Sequence, residues 1–280
     1  VTDLGVLLAR PSPDSLVDDA AALDALGVDA IWLTDHLYWH EPTVDVIGAL
    51  ALVAHATERC RLGPGVLQLP LRSAAAVAKS MAFLDRLAPG RVVVGVGVGE
   101  HRGEYEAAHR GPAYGRRGRV LDRDIARLRE AWAGGEDGYA LLPARPLPIW
   151  VGGRSGASLR RAATLGDGWF PHLCTPDWYA AHRARLDGAL AEHGRDPAEV
   201  RRGVLVAAAV EGVEPGLDPA AWLGSLYRLD PGRFGHVLVH GSAARILEAI
   251  AAYEQAGAEH VALMIAGDRP VDHVAALLTA

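Results

Sequence analysis

The sequence predicts a (β/α)8 barrel, a closed parallel sheet ringed by helices, and three observations carry that expectation. Short runs rich in β-branched residues alternate with longer stretches of helical period along nearly the whole chain. The first four runs come at even spacing, and the helical stretches end at recognisable stops such as Leu26-Gly27 and Pro89-Gly90. A chain of 280 residues, half of them hydrophobic, can bury one sizeable core, and α/β barrels reach this length as a single domain, here spanning 1–280.

In chain order, strands are expected at Leu4–Ala9, Ala30–Leu33, Arg61–Leu67, Val92–Val98, Ile149–Val151, Gly168–Phe170, Gly203–Ala209 and Val261–Ile265. The helical stretches are Pro13–Leu26, Val44–Thr57, Ser73–Leu87, Gly118–Trp132, Gly156–Leu165, Pro176–Glu192, Ser242–Ala256 and Val271–Leu278. Ala133–Leu147 and Val210–Val239 break the rhythm and are rich in Gly and Pro; because alternation resumes after each, they are short insertions or lids rather than linkers. The competing architecture is a doubly wound open sheet with a nucleotide site, invited by Gly95-Val96-Gly97-Val98-Gly99. Those glycines lie within and just after the fourth strand, do not match GxGxxG, and run into a polar loop rather than a helix.

Composition narrows the partners. Net charge is −6 and the 28 basic residues are scattered among acidic ones, so no footprint for nucleic acid is present and a small-molecule partner is favoured. Cys60 and Cys174 are far apart and in no metal-binding spacing, which suits a reduced cytoplasmic protein. No apolar run approaches membrane-spanning length, and Val1–Ala9 is too short for a signal peptide, so a cytoplasmic location is expected.

In a barrel the reacting groups come from strand ends on one face. The second strand runs into Thr34-Asp35-His36-Leu37-Tyr38-Trp39-His40-Glu41, the third into Gln68 and Arg72, the fourth into Gly99-Glu100-His101, the fifth into Gly152-Gly153-Arg154-Ser155, and the sixth into His172. Singly, each has a plainer explanation: Asp35 as a cap, Glu100 as an exposed loop acid, Trp39 and His40 as packing. Their shared end of the barrel lifts them above it. Glycines opening a helix at Gly152-Gly153-Arg154-Ser155-Gly156 let backbone N–H groups and the helix dipole meet a phosphate, although Ser155 could equally be an ordinary N-cap of a tight turn. No metal site is expected: His36 and His40 lack the glutamate of a zinc helix. A Gly-x-Ser-x-Gly nucleophile elbow is absent too.

These residues resemble the luciferase-like superfamily and, within it, the branch that uses coenzyme F420, a deazaflavin. The likeness is carried by Ile31-Trp32-Leu33-Thr34-Asp35-His36, Thr57-Glu58-Arg59-Cys60-Arg61-Leu62-Gly63, Gly90 through Glu100, Pro148-Ile149-Trp150-Val151-Gly152-Gly153 and Gly166-Asp167-Gly168-Trp169, and it extends to Ala262. It implies a (β/α)8 TIM barrel with the cofactor ring over the rim and its phosphate at Gly152, Gly153 and Ser155. It also implies a non-proline cis peptide at Gly65-Val66, backing the ring; Gln68, Val98 and Gly99, at the ends of the third and fourth strands, are expected in the same cofactor set. By the same resemblance Asp35 lies at the ring, His36 is an acid/base and Glu100 is its counterpart; Trp39, His40 and His172, read from their place on the same rim, are expected to meet the substrate.

The chain departs from the sugar-phosphate dehydrogenases of that branch. They carry tryptophan four residues after the histidine where this chain has His40, an asparagine where it has Gly103, and phosphate-gripping lysines where its only lysine is Lys79, in the helix after strand three. Glucose 6-phosphate is therefore disfavoured as substrate. The expected function is hydride transfer between F420 and a small organic substrate; the alternatives are an FMN-dependent monooxygenase using reduced flavin and O2, and a non-catalytic flavin-binding protein, against which the acid/base set argues. A homodimer through helices two and three, including Val46–Ala54, fits the family.

Overall fold

The computed structural model describes residues 2–134, 143 and 145–280. Its strands are β1 (Asp3–Leu8), β2 (Ala30–Leu33), β3 (Arg61–Pro64), β4 (Leu67–Gln68), β5 (Val94–Gly97), β6 (Ile149–Gly152), β7 (Gly168–Phe170), β8 (Arg201–Val210), β9 (Leu238–Gly241) and β10 (His260–Ile265). All their pairings are parallel, in the order β3-β2-β1-β10-β8-β7-β6-β5-β4. The ring closes because Leu62 of β3 pairs with Val92 just ahead of β5. Closure excludes the open doubly wound sheet.

Alternation of inward and outward side chains explains why these runs form one barrel. In β2, Ile31 and Leu33 belong to the layer between sheet and helices, while Trp32 points inward with Trp150 and Phe170. In β10, Val261, Leu263 and Ile265 face outward, and Ala262 and Met264 inward. The outer layer is covered by α1 (Leu16–Leu26), α2 (Val46–Ala56), α3 (Ala74–Leu87), α5 (Arg117–Ala133), α6 (Gly156–Leu165), α7 (Pro176–Glu192), α9 (Ala243–Gln255) and α10 (Pro270–Leu278), while α4 (Arg102–Ala107) and α8 (Pro219–Tyr227) lie at the rim. Side-chain caps start several of them: Asp45, Ser73, Ser155, Thr175 and Ser242 each accept from a backbone N–H three residues on.

Three expectations change. The third strand, expected as one run over Arg61–Leu67, is two pieces, β3 and β4, interrupted at the Gly65–Val66 peptide bond, which is cis. The polar loop expected after the fourth strand contains a short helix, α4, whose single and a half turns and internal Gly103 leave no hydrophobic period to read. The stretch Val210–Val239 contains α8 and leads into β9, which pairs with the end of β8. Trp222, Leu223 and Leu226 of α8 join the inward-facing cluster, so this helix roofs the barrel mouth. Of the other expected insertion, Ala133–Leu147, positions 135–142 and 144 lie outside the described residues.

Candidate active site

A cleft of about 220 Å³ opens at the C-terminal ends of the strands. Leu7, Phe170 and Leu205 bring inward-facing apolar side chains to it, and Thr34, Asp35, His36, Gly65, Val66, Gln68, Val98, Gly99, Glu100, Gly152, Gly153, His172 and Tyr227 line the rest. The sequence thus located most of this wall. Trp39 sits instead in an adjoining chamber, His40 is tied to the roof by its Nε2 at 3.0 Å from the Ser225 carbonyl, and Ser155 caps α6.

A buried polar network organises one side of the cleft. The Asp35 carboxylate accepts from the Gln68 backbone N–H at 2.8 Å and pairs with the Arg72 guanidinium at 2.5 Å. Burial works against the Arg72 charge, yet the Asp35 bond and charge, with Asp45, hold its guanidinium above the ordinary range. Asp35 is thereby committed to positioning the β4 end of the third strand against the loop after β2.

His36 is held by a residue the sequence did not single out. Its Nδ1 lies 3.2 Å from Glu104 Oε2, and Glu104 also accepts from the Leu37 N–H at 2.7 Å, the Tyr38 N–H at 3.3 Å and the Gln68 amide at 3.0 Å. The Glu104 side chain is only 1% exposed. Burial by itself would push its carboxyl up, but the His36 bond and charge and the Gln68 and Tyr38 donors outweigh that and hold it below the usual range. Tyr105, next on α4, anchors the helix by donating to the Val98 carbonyl. Trp39 stacks on the imidazole, with ring centres 3.9 Å apart. With Nδ1 engaged, Nε2 is the nitrogen of His36 without a protein partner among the described residues.

Glu100 occupies a different position from the one a partner of His36 would need. Its side chain is 66% exposed at the cleft mouth and reaches His101 at 3.5 Å. Nearby, burial pushes the His172 imidazole below its ordinary range, with Arg154 adding to the effect and Glu100 opposing it. The only sequence signal for Glu104 was its place four residues after Glu100 on the same rim segment.

Several features suit a flat ring with an anionic tail. The Gln68 amide nitrogen lies 2.9 Å from the Asp35 carbonyl, 3.0 Å from both Glu104 oxygens and 3.1 Å from His36 Nδ1; the three oxygens are acceptors, which fixes the amide's orientation. Its buried Oε1 has no partner among the described residues, so an acceptor is left over at the cleft wall. A Cβ at Gly99 would stand 2.2 Å from that oxygen, and Gly99 has φ +69°, so no other residue fits. Gly153, with φ +112°, turns β6 into α6 and exposes the helix start. An added Cβ at Gly156 would lie 3.8 Å from Arg185 Nη2 and 3.9 Å from Arg160 Nη1, two cations beside that start which the sequence did not flag. Among the described residues, no group of acids, histidines and cysteines could hold a metal ion, and no helix is long and apolar enough to cross a membrane.

A family model described as luciferase-like monooxygenase matches residues 2–212. The chain is 32% identical over 216 residues to an F420-dependent hydroxymycolic acid dehydrogenase of Mycobacterium tuberculosis, covering 69% of this chain and 59% of that one. It is 30% identical over 184 residues to an F420-dependent glucose-6-phosphate dehydrogenase of Gordonia bronchialis, covering 58% and 53%. The chain spans about half the length of the curated relatives it matches. Among solved structures, an F420-dependent secondary alcohol dehydrogenase bound to an F420-acetone adduct superposes with TM-score 0.85 at 17% identity, covering 97% of this chain and 96% of the other. An FMN complex of the oxygenating component of 3,6-diketocamphane monooxygenase, from Pseudomonas putida, gives 0.76 at 17% identity, covering 99% and 97%. At that identity these two likenesses speak for the fold.

Proposed function

Taking as premise that the chain belongs to the luciferase-like monooxygenase family, we propose that it is an F420-dependent oxidoreductase acting on a small organic substrate. The observation that carries this is His36. Its ring lies in the wall shared by the cleft and the adjoining chamber, with one nitrogen held by buried Glu104 and the other free. A proton-transfer group between two cavities is what a redox reaction at a carbon bearing oxygen needs. The relatives named for F420 support the cofactor.

The deazaflavin, when bound, supplies the hydride acceptor or donor. Gly65, Val66, Gln68, Val98 and Gly99 would hold its ring, with the leftover Gln68 acceptor taking a ring donor. Gly152, Gly153 and Ser155 would hold its phosphate at the start of α6, where backbone N–H groups and the Arg160 and Arg185 guanidiniums favour negative charge. His36 Nε2 takes or gives the proton at the substrate oxygen, and Glu104 and Trp39 fix the plane of the imidazole. Glu100 exchanges a proton from the solvent side of the mouth. Asp35 and Arg72 keep the ring wall in place.

Titration decides the cofactor. F420 is expected to bind with its fluorescence quenched at micromolar concentration, and Glu100→Ala to keep that binding while losing turnover. Tight binding of reduced FMN with oxygen-dependent product formation, and none of F420, would replace this function with that of a flavin monooxygenase.

Leu52 on α2 and Phe83 and Leu87 on the neighbouring α3 are exposed, a face suited to a homodimer, which light scattering of wild type and Phe83→Glu would test. Two buried free cysteines fit a reducing cytoplasm.

A further inference from the structure

We propose that the chamber beside His36 is the substrate subsite, and that its Arg10–Glu41 pair makes it select an uncharged alcohol or carbonyl compound with an apolar body over an anion. This rests on the assignment of the neighbouring cleft to the cofactor. The chamber holds about 410 Å³ and shares Thr34, His36 and Tyr227 with that cleft, so a molecule in it would lie next to the cofactor and the free imidazole nitrogen at once. Its body is Ala9, Pro11, Pro13, Pro42, Leu226 and Tyr227, surfaces that reward apolar groups.

Each cation on its wall is already matched. Arg10 is ion-paired with Glu41: Nη2 donates to Oε1 at 3.1 Å, and Nε stands 3.0 Å from Oε2 without making a hydrogen bond among the described residues. The same guanidinium lies 4.7 Å from the centre of the Trp222 ring and donates to Ser225 Oγ at 3.0 Å, both on α8. His36, the other cation when protonated, has Glu104. An entering carboxylate or phosphate would meet the Glu41 charge and have to displace it from Arg10, whereas a hydroxyl or carbonyl loses little water and finds His36 Nε2. Thr34 Oγ1 donates to the Ala9 carbonyl, which leaves its lone pairs able to accept a substrate hydroxyl. Glu41 is thus a specificity-determining residue: it cancels a cation that would otherwise recruit anions.

The test uses two probes of one shape, cyclohexylmethanol and cyclohexanecarboxylate, titrated calorimetrically into the protein with and without F420. Wild type is expected to bind the alcohol at least tenfold more tightly than the carboxylate. Glu41→Gln should reduce that ratio tenfold or invert it, and Arg10→Gln/Glu41→Gln, which removes both charges, should bring it back to within about threefold of wild type. Leu226→Trp should abolish alcohol binding while leaving F420 affinity unchanged. Failure of wild type to bind either probe, a preference for the carboxylate, or a ratio unmoved in a folded Glu41→Gln protein would overturn the proposal. If Glu41→Gln does not fold, the double variant decides: loss of the alcohol preference there overturns it. Selective alcohol binding in protein that ignores F420 would keep the subsite and remove the cofactor assignment instead.

Discussion

Below the cleft, Trp32, Trp150, Phe170 and His260 pack against one another with ring centres 4.8 to 6.0 Å apart. At the C-terminal ends of the strands of the same barrel, Asp35, His36, Gln68 and Gly153 stand at the rim. The lower region is close-packed and has one polar ring in it, neutral and bonded. The rim is a network of charges with an acceptor and an imidazole nitrogen left over. Both meet at β2 and the loop after it: only two residues lie between the Trp32 indole that fills the barrel and the Asp35 carboxylate that braces its mouth. The difference shows how a barrel divides its work, with filling below setting stability and unfinished polar groups above setting chemistry.

The sharpest way to break that division is to exchange the consequences. His36→Ala should lower turnover by about 10²- to 10⁴-fold while F420 affinity and melting temperature stay near wild type, as fluorescence titration and calorimetry would show. A large fall in stability with full turnover would mean that the imidazole is packing. Trp32→Ala should do the reverse. It empties a fully buried site and removes the donor to His260, a loss of about 3–5 kcal/mol by chemical denaturation, and any folded fraction should still bind cofactor.

Glu104→Gln sits between the two regions and should show both effects at smaller size. The amide keeps one acceptor for the Leu37 and Tyr38 N–H groups but turns a donor toward Gln68 or His36, a buried mismatch of about 1–3 kcal/mol. The Glu104 carboxyl is held below its ordinary value of 4.5, so its contribution is present above that pH and is lost as pH falls further. The variant's stability should therefore decline less steeply below pH 4.5. Turnover should drop as well, because His36 loses the partner that orients it, and Glu104→Asp should recover neither effect if distance is what matters.

How far the sequence carried differs between these regions for a physical reason. Strand interiors were legible because inward and outward residues alternate, as in Ile31, Trp32 and Leu33. The cleft residues were legible because they directly follow those strands, and the cis bond at Gly65–Val66 came from the resemblance. Glu104 was not legible, since its bond to His36 spans 68 positions and depends on α4, a helix too short to leave a period. The Arg10–Glu41 pair, and the approach of Arg185 on α7 to Gly156, were hidden for the same reason: contacts between distant elements leave no local pattern. Val210–Val239 reads as an insertion or lid, but not as a helix over the mouth, since Trp222 and Leu226 read equally well as ordinary core.

The smallest expected effect belongs to His260, and it isolates the one titratable group in the packed region. Trp32 Nε1 donates to His260 Nε2 at 2.9 Å, which places the ring proton on Nδ1, an atom with no partner among the described residues. Burial, helped by Arg61 and Arg201 and opposed by Asp3, lowers the imidazole to about 3, from an ordinary 6.5. The folded state therefore holds the ring neutral while the unfolded chain takes up a proton below pH 6.5. Its contribution is complete above 6.5 and shrinks as pH falls from there toward 3, by about 1 kcal/mol per pH unit at most. His172, also lowered by burial, adds a slope of the same sign in both proteins. His260→Gln keeps an acceptor for Trp32 and cannot titrate, so urea midpoints measured from pH 7.5 to 5 should fall less steeply than in wild type. Parallel slopes would mean that the packed region admits water and a proton, and the contrast between a dry interior and a reactive rim would fail.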